Sequence, residues 1–303
     1  MALVLLFQCS GCEVMSGFRS AFGGSFYAEL SGESYGALKS SMLLETLILV
    51  CLYFLRSFYP NFLLSPLTSA ELQNNMHVQQ VSCEVLTLLL AELTVLAKDS
   101  GRGFATYIGD VISRCKLQKT VLYCLMASVY DSARAVTSSN APKKQQTLSE
   151  SIVGLSQRRA SQVTSDVMHV KLLSLVSVII ALEEQILISR SDPEPPLPEE
   201  WTSGQTLGHA PSVTKALKFV PSRLLAQQPM FVSALLVALR QPQRSELHEQ
   251  VLAMVNNSLT HFGQALRHIV LAVLSQLCRN LDTLAALYAG DDPGRCVYSS
   301  YIQ

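Results

Sequence analysis

Charge is scarce in this chain. Only 15% of its 303 residues are Asp, Glu, Lys or Arg, against roughly 25% in an average soluble domain. The 23 basic residues balance 23 acidic ones, so no net field exists to draw in nucleic acid or an anionic substrate. Neither nucleic acid nor a small-molecule substrate is expected as a partner.

Catalytic and cofactor signatures are equally scarce. No G-x-x-x-x-G-K-[ST] loop occurs, and Gly101-Arg102-Gly103-Phe104 resembles a phosphate loop only in its glycines, reading instead as the end of a helix. The histidines His77, His169, His209, His248, His261 and His268 include no i, i+4 pair and no H-E-x-x-H, although His261 and His268 sit two turns apart on one predicted helical face. Cys9-Ser10-Gly11-Cys12 has redox spacing, but no second pair completes four zinc ligands and no βαβ pattern follows. Gly32-Glu33-Ser34-Tyr35-Gly36 fits the nucleophile-elbow pattern, which would make Ser34 a hydrolase nucleophile. That elbow needs strands of a parallel sheet before it, and sustained strand alternation is missing from the chain. No catalytic residue, metal ligand or cofactor site is assigned.

Apolar residues supply 49% of the chain, with a mean hydropathy of +0.28, ample for a buried core. Cysteines sit mostly inside apolar runs such as Leu49-Val50-Cys51-Leu52, where free thiols act as small core residues in a reducing compartment. The apolar start Met1–Phe7 lacks the basic flank of a secretory signal. Two runs, Leu43 to Leu55 and Leu172 to Leu182, invite a membrane reading, yet each falls short of the roughly 18 to 20 apolar residues that span a bilayer.

The apolar residues recur at helical spacing. Residues 1–41, rich in Gly and Ser, read as a loose leader, and a buried helix from Ser41 stops at Tyr59-Pro60. A long helix starts near Ser69 with Leu72, Met76, Val81, Val85, Leu89, Leu93 and Leu96 near one stripe, ending at Gly101 and Gly103. Two shorter helices follow before 131. Residues 132–150 are a polar linker, and 151–189 are helical again, around Ser151 to Arg159 and strongly from Val163 to Ser189, with a stripe from Val167 to Ile186 wide enough to need neighbours on two sides. Residues 190–211 form a proline-rich linker around Asp192-Pro193-Glu194-Pro195-Pro196 and Trp201, the single tryptophan. A helical subdomain over 212–289, with helices Pro229–Arg240, Ser245–Thr260 and Gly263–Leu287, precedes a tail at 290–303. The predicted fold is all-α: an irregular helical bundle or a HEAT-like α-solenoid fragment.

Two short basic signals complete the inventory. Arg158-Arg159-Ala160-Ser161 is an arrangement basophilic kinases favour. Lys215, Lys218 and Arg223, interleaved with Phe219, offer a peripheral contact with an anionic membrane.

Several strings resemble the C-terminal region of the Dopey family: Leu52-Tyr53-Phe54-Leu55-Arg56-Ser57-Phe58-Tyr59-Pro60, Val81-Ser82-Cys83-Glu84-Val85-Leu86-Thr87, Gly103-Phe104-Ala105-Thr106-Tyr107-Ile108, and Gln276-Leu277-Cys278-Arg279-Asn280-Leu281. The resemblance covers about residues 42 to 290. It implies a peripheral protein on the cytosolic face of Golgi and endosome membranes, acting with a large Sec7-related scaffold in endosome-to-Golgi transport and Golgi organisation. It also implies leucine-zipper-like helices, for which the candidates are Leu86 to Leu96 and a partner face of Leu266, Val270, Val273, Leu277, Leu281 and Leu284. The expected function is a non-enzymatic scaffold or adaptor that docks through helices. The alternative is a membrane-binding module.

Overall fold

The computed structural model describes residues 35–56, 69–137, 162–197, 201, 219–241 and 245–289. Among them are eight α-helices: α1 (Tyr35–Arg56), α2 (Ser69–Asp99), α3 (Gly101–Arg114), α4 (Leu117–Thr137), α5 (Gln162–Arg190), α6 (Pro229–Leu239), α7 (Ser245–Asn257) and α8 (Leu266–Ala289). Three-residue 3-10 turns, Leu225–Gln227, Leu259–His261 and Gly263–Ala265, set the approaches to α6 and α8. No strand occurs among the described residues. The all-α expectation holds.

Residue chemistry places the breaks. Gly101 takes φ +78°, the left-handed turn that lets α3 fold back at once from α2. Gly103, expected to help end α2, instead lies in the first turn of α3. α5 closes in a Schellman arrangement without glycine: Ser191 adopts φ +56° and Asp192 N–H reaches the Leu187 carbonyl at 3.2 Å. Pro193 then bars continuation. Pro229 opens α6 at its first helical position, where the missing N–H goes unnoticed.

The helices wrap around α5. Its most extensive contacts are with α2, and α3, α4 and α7 also lie against it. Leu172, Leu175, Val176, Ile179 and Leu182 are buried from several sides, as the wide stripe requires. From α2 come Cys83, Leu86, Leu89, Leu90, Leu93 and Ala97. One hydrophobic cluster runs from Leu44 in α1 to Val273 in α8, so the segments 42–131, 151–189 and 212–289 share a core. The polar stretch expected from 132 is helical as far as Thr137.

Three segments, Asn74–Asp99, Val167–Arg190 and Gly263–Ala286, are long and apolar enough to cross a membrane by length and composition alone. Unbroken runs look shorter than this because a few polar residues interrupt them. In the first two, half of the most apolar window is buried within the fold, and Glu84 and Lys171 pair between α2 and α5. Their hydropathy reflects central packing. In the third, which takes in most of α8, only 17% of the most apolar window is buried.

α1, expected as a buried helix, is buried on one side only. Leu44, Ile48, Cys51, Leu52 and Leu55 enter the core, whereas Leu43, Leu49, Val50 and Tyr53 are exposed. The continuous apolar run cannot distinguish a helix covered all round from one with an open apolar face.

Neutral side chains stitch the helices together where ion pairs are few. Gln79 donates to the Leu55 carbonyl near the end of α1 (3.4 Å), Ser189 to Ala97 near the end of α2 (2.9 Å), and Asn280 to Leu239 at the end of α6 (2.8 Å). Each satisfies a helix-terminal carbonyl that has no partner within its own helix. Gln241 reaches the Val129 carbonyl of α4 (3.1 Å). This tethering fits a chain so poor in charge.

Two titratable groups lie deep in the core. Burial pushes the Glu183 carboxyl up to about 7, offset in part by the Leu225 N–H and the Gln118 amide, both of which donate to it. Burial lowers His169 to about 4. Ser128 Oγ lies 2.8 Å from the Leu125 carbonyl, to which it donates, and 2.9 Å from His169 Nδ1. His169 Nε2 is buried without a hydrogen bond.

Two predictions follow from this core. Leu86→Ala should lower the unfolding free energy by about 3 kcal/mol, and Leu88→Ala, two residues along and facing solvent, by less than about 0.5 kcal/mol, in urea titrations. For pH, the folded state binds the Glu183 proton more tightly than the unfolded chain does. Its contribution is therefore full below the ordinary carboxyl range and is lost as pH rises through about 7. His169 has the opposite sign, contributing above the ordinary value of 6.5 and losing that contribution as pH falls towards 4. Where the windows overlap they oppose one another. In urea midpoints, Glu183→Gln should make stability climb more steeply with pH across that overlap than in the unmodified chain, and His169→Gln should flatten or reverse the climb.

Candidate docking site

The helical residues of α8 divide at single-residue resolution between inside and outside. Ile269 and Val273 are buried, the latter only 5% exposed, while Leu266 is 38%, Leu274 51% and Leu281 64% exposed. Val270, Leu277 and Leu284 lie between, Leu277 packing partly against the core. Of the expected partner face, Val273 is therefore spent inside the protein, and Leu274 takes its place outside. The corrected stripe, Val270, Leu274, Leu277, Leu281 and Leu284, alternates steps of four and three, the spacing of a coiled-coil seam. Sequence spacing alone allowed either Val273 or Leu274, because the neighbours of α8 decide which side of the stripe is covered.

α6 holds α8 in this orientation. Arg240 Nε donates to Gln276 Oε1 at 3.0 Å, Gln276 donates to Asn280 at 2.8 Å, and Asn280 donates to the Leu239 carbonyl. This polar ladder ties α8 to α6, with Leu274 and Leu281 left exposed and Val270, Leu277 and Leu284 half-buried beside them. The second zipper candidate fares differently. Leu86, Leu89, Leu90, Leu93 and Leu96 are all buried, with Leu88 and Val95 left outside.

The start of α8 is fastened by the proline-rich segment, which is no free linker where it is described. Glu194 accepts from the Gln264 N–H (3.0 and 3.2 Å) and from Gln227 Nε2 (3.1 Å). Leu197 and Trp201 pack partly against the core, and the Trp201 ring stacks on His268 at 3.9 Å between centroids, 8° from parallel. Composition flagged a proline break but carried no sign of what the break would lie against.

The other candidate residues do not assemble into a site. His261 lies in the 3-10 turn before α8, not on that helix with His268, and pairs with Glu184. His77 is exposed on α2, and His248 is buried on α7. No group of three His, Cys, Asp or Glu is placed to hold a metal among the described residues. Burial raises Cys51 and Cys115 to about 11 and Cys83 and Cys124 to about 12, so these thiols stay protonated and unreactive. Cys278 on α8 is exposed. Phe219, expected at a membrane surface, packs partly against the core, and Arg223 is partly covered. Lys215, Lys218, His209, Ser34, the pair Cys9 and Cys12, and Arg158 to Ser161 lie outside the described residues. Tyr35 and Gly36 open α1.

Comparison with known proteins agrees with this all-helical architecture. Residues 18–296 match the family model described as the DOP1 TPR domain, extending the resemblance seen at 42 to 290 into the leader and the tail. A TPR-type description fits the expected all-α bundle or solenoid. The chain is 34% identical over 279 residues to the Protein DOP1 homolog of Drosophila pseudoobscura pseudoobscura and 33% identical to that of Drosophila melanogaster, covering 89% of this chain and 10% of each relative. It is 32% identical to Protein DOP1B of Xenopus laevis, with 89% and 12% covered. The chain thus spans about a tenth of the length of these relatives. No solved structure matches it. The chain belongs to the DOP1, or Dopey, family.

Proposed function

We propose that this chain is a non-enzymatic scaffold segment that docks a helix of another protein along the outward stripe of α8, in endosome-to-Golgi transport and Golgi organisation. The observation that carries the reading is the stripe of Val270, Leu274, Leu277, Leu281 and Leu284, in which Leu274 and Leu281 are exposed and the other three are half-buried. A row of apolar residues at this spacing is a ready half of a knobs-into-holes contact.

Family membership supports the cellular setting. The partner this reading expects is a large Sec7-related scaffold on the cytosolic face of Golgi and endosome membranes, where the chain would sit peripherally. The reading uses no cofactor, small-molecule substrate or nucleic acid. The membrane-contact alternative is weakened by the inward packing of Phe219, its aromatic anchor.

Proximity labelling from the full chain in cells tests the proposal, with Leu274→Asp and Leu281→Asp as the disrupting pair. Both side chains are exposed, so each substitution should shift stability by less than about 0.5 kcal/mol. Enrichment of Golgi and endosomal scaffold proteins should be lost in the double variant while its thermal unfolding is unchanged. Enrichment that survives both changes, or capture of chaperones alone, would overturn the reading. Salt-sensitive flotation with anionic liposomes that persists in the double variant would favour the membrane alternative.

A further inference from the structure

A single buried acid sits where three parts of the fold meet. Glu183 of α5 is only 7% exposed. Its Oε1 accepts from Gln118 in the first turn of α4, 65 residues away in the chain. Its Oε2 accepts from the Leu225 N–H at 2.7 Å, 42 residues away in the other direction. Leu225 opens the three-residue turn that leads to α6. The last residue of that turn, Gln227, is fully buried and donates to Glu194 at 3.1 Å and to the Pro195 carbonyl at 3.0 Å. Glu194 in turn accepts from the Gln264 N–H at 3.0 Å, two residues before α8 begins. Named hydrogen bonds and one short turn thus link an acid at the centre of the fold to the start of α8.

Both donors that reach Glu183 are neutral, and the influences on its titration are burial and these two bonds. The charged groups on the elements around it are engaged elsewhere. On α5, Glu184 pairs with His261 of the turn before α8, and Arg190 with Asp192. On α4, Lys119 lies over the Tyr123 ring at 6.0 Å. On α3, Arg114 pairs with Glu45 of α1. Arg223, ahead of the turn, is partly covered, and Glu246 and Glu249 of α7 are exposed. His248 of α7 is buried and bonds to the backbone of Ala238 and Gln241. α6 contains no ionisable residue. An acid in such a place loses its hydration when it ionises, so it holds its proton to higher pH than it would in water.

We propose that Glu183 is a pH-sensitive latch: its protonated form keeps the Leu225–Gln227 turn closed on α5, and its ionised form loosens that turn and, through Gln227 and Glu194, the fastening of α8. Opening the turn hydrates the carboxyl group, which then ionises at its ordinary value of 4.5, whereas the closed latch keeps its proton up to about 7. The latch is therefore at full strength below the ordinary value, weakens as pH rises towards about 7, and changes little beyond.

NMR on the full chain tests the latch. The Leu225 amide, which donates to the acid, should change its chemical shift with a midpoint near pH 7. In hydrogen exchange, corrected for the intrinsic effect of pH, the opening equilibrium at Leu225 and Gln264 should rise by at least about tenfold from pH 5 to pH 8. Amides at the centre of α2 open only with the whole fold, where the opposite titration of His169 offsets that of Glu183, so their change should be much smaller. Glu183→Gln should remove the pH dependence at the turn. Should that variant unfold by circular dichroism, Gln118→Ala takes its place: it deletes a bond that favours the ionised acid and should move the Leu225 midpoint to higher pH. A Leu225 amide that does not titrate between pH 5 and pH 8, or a turn whose opening follows the central α2 amides at every pH, would overturn the proposal. Neither result bears on the α8 docking reading, because the experiment contains no partner.

Discussion

The packing of α5 against α2 is the contact on which the remainder of the structure depends. Both helices are long and rich in Leu and Val, and α5 buries residues on nearly every side. A helix that apolar in water needs neighbours all round it, and α3, α4 and α7 supply them. Charge would be expensive in such a centre. The acid and the imidazole that do enter, Glu183 and His169, are pushed towards their neutral forms.

The scarcity of charge has a second consequence. Helix ends in most proteins are settled by water, caps or charged side chains; here Gln79, Ser189 and Asn280 reach across from neighbouring helices to terminal carbonyls. Such bonds are directional and fix rotation as well as distance. In α8 that rotation decides which leucines point outwards, so the hydrogen-bond ladder from Arg240 through Gln276 and Asn280 helps define the exposed apolar residues beside it. Glu194 and Trp201 of the proline-rich segment anchor the start of the same helix through Gln264 and the Trp201–His268 stack. Structure and proposed docking surface therefore share their supports.

Much of this was legible in the sequence. The long helices at Ser69 and Gln162, and the trio from Pro229 onwards, announce themselves by apolar period, a starting proline and stopping turns, and the observed ends differ by only a few residues. What periodicity could not resolve was the side of a stripe. Val273 and Leu274 are both apolar neighbours on α8, and only the position of α6 tells which is buried. The open flank of α1 was hidden for the same reason, since an apolar residue reads alike whether or not something covers it. The proline-rich segment was legible as a break in helix and not as a packed element, because Gln227, Gly263 and His268 lie 33 or more residues from Glu194 or Trp201 in the chain. No local spacing connects them.

The central claim is that one core, organised on α5, unites all eight helices and holds the α8 face in place. Native-state hydrogen exchange on the full chain tests it most directly. The account predicts that amides at the centres of α2, α5, α6 and α7 exchange with one common opening free energy, α5 among the slowest. Exchange of α6 to α8 at a distinctly lower free energy, with α1 to α5 still protected, would contradict it by showing a separable C-terminal unit.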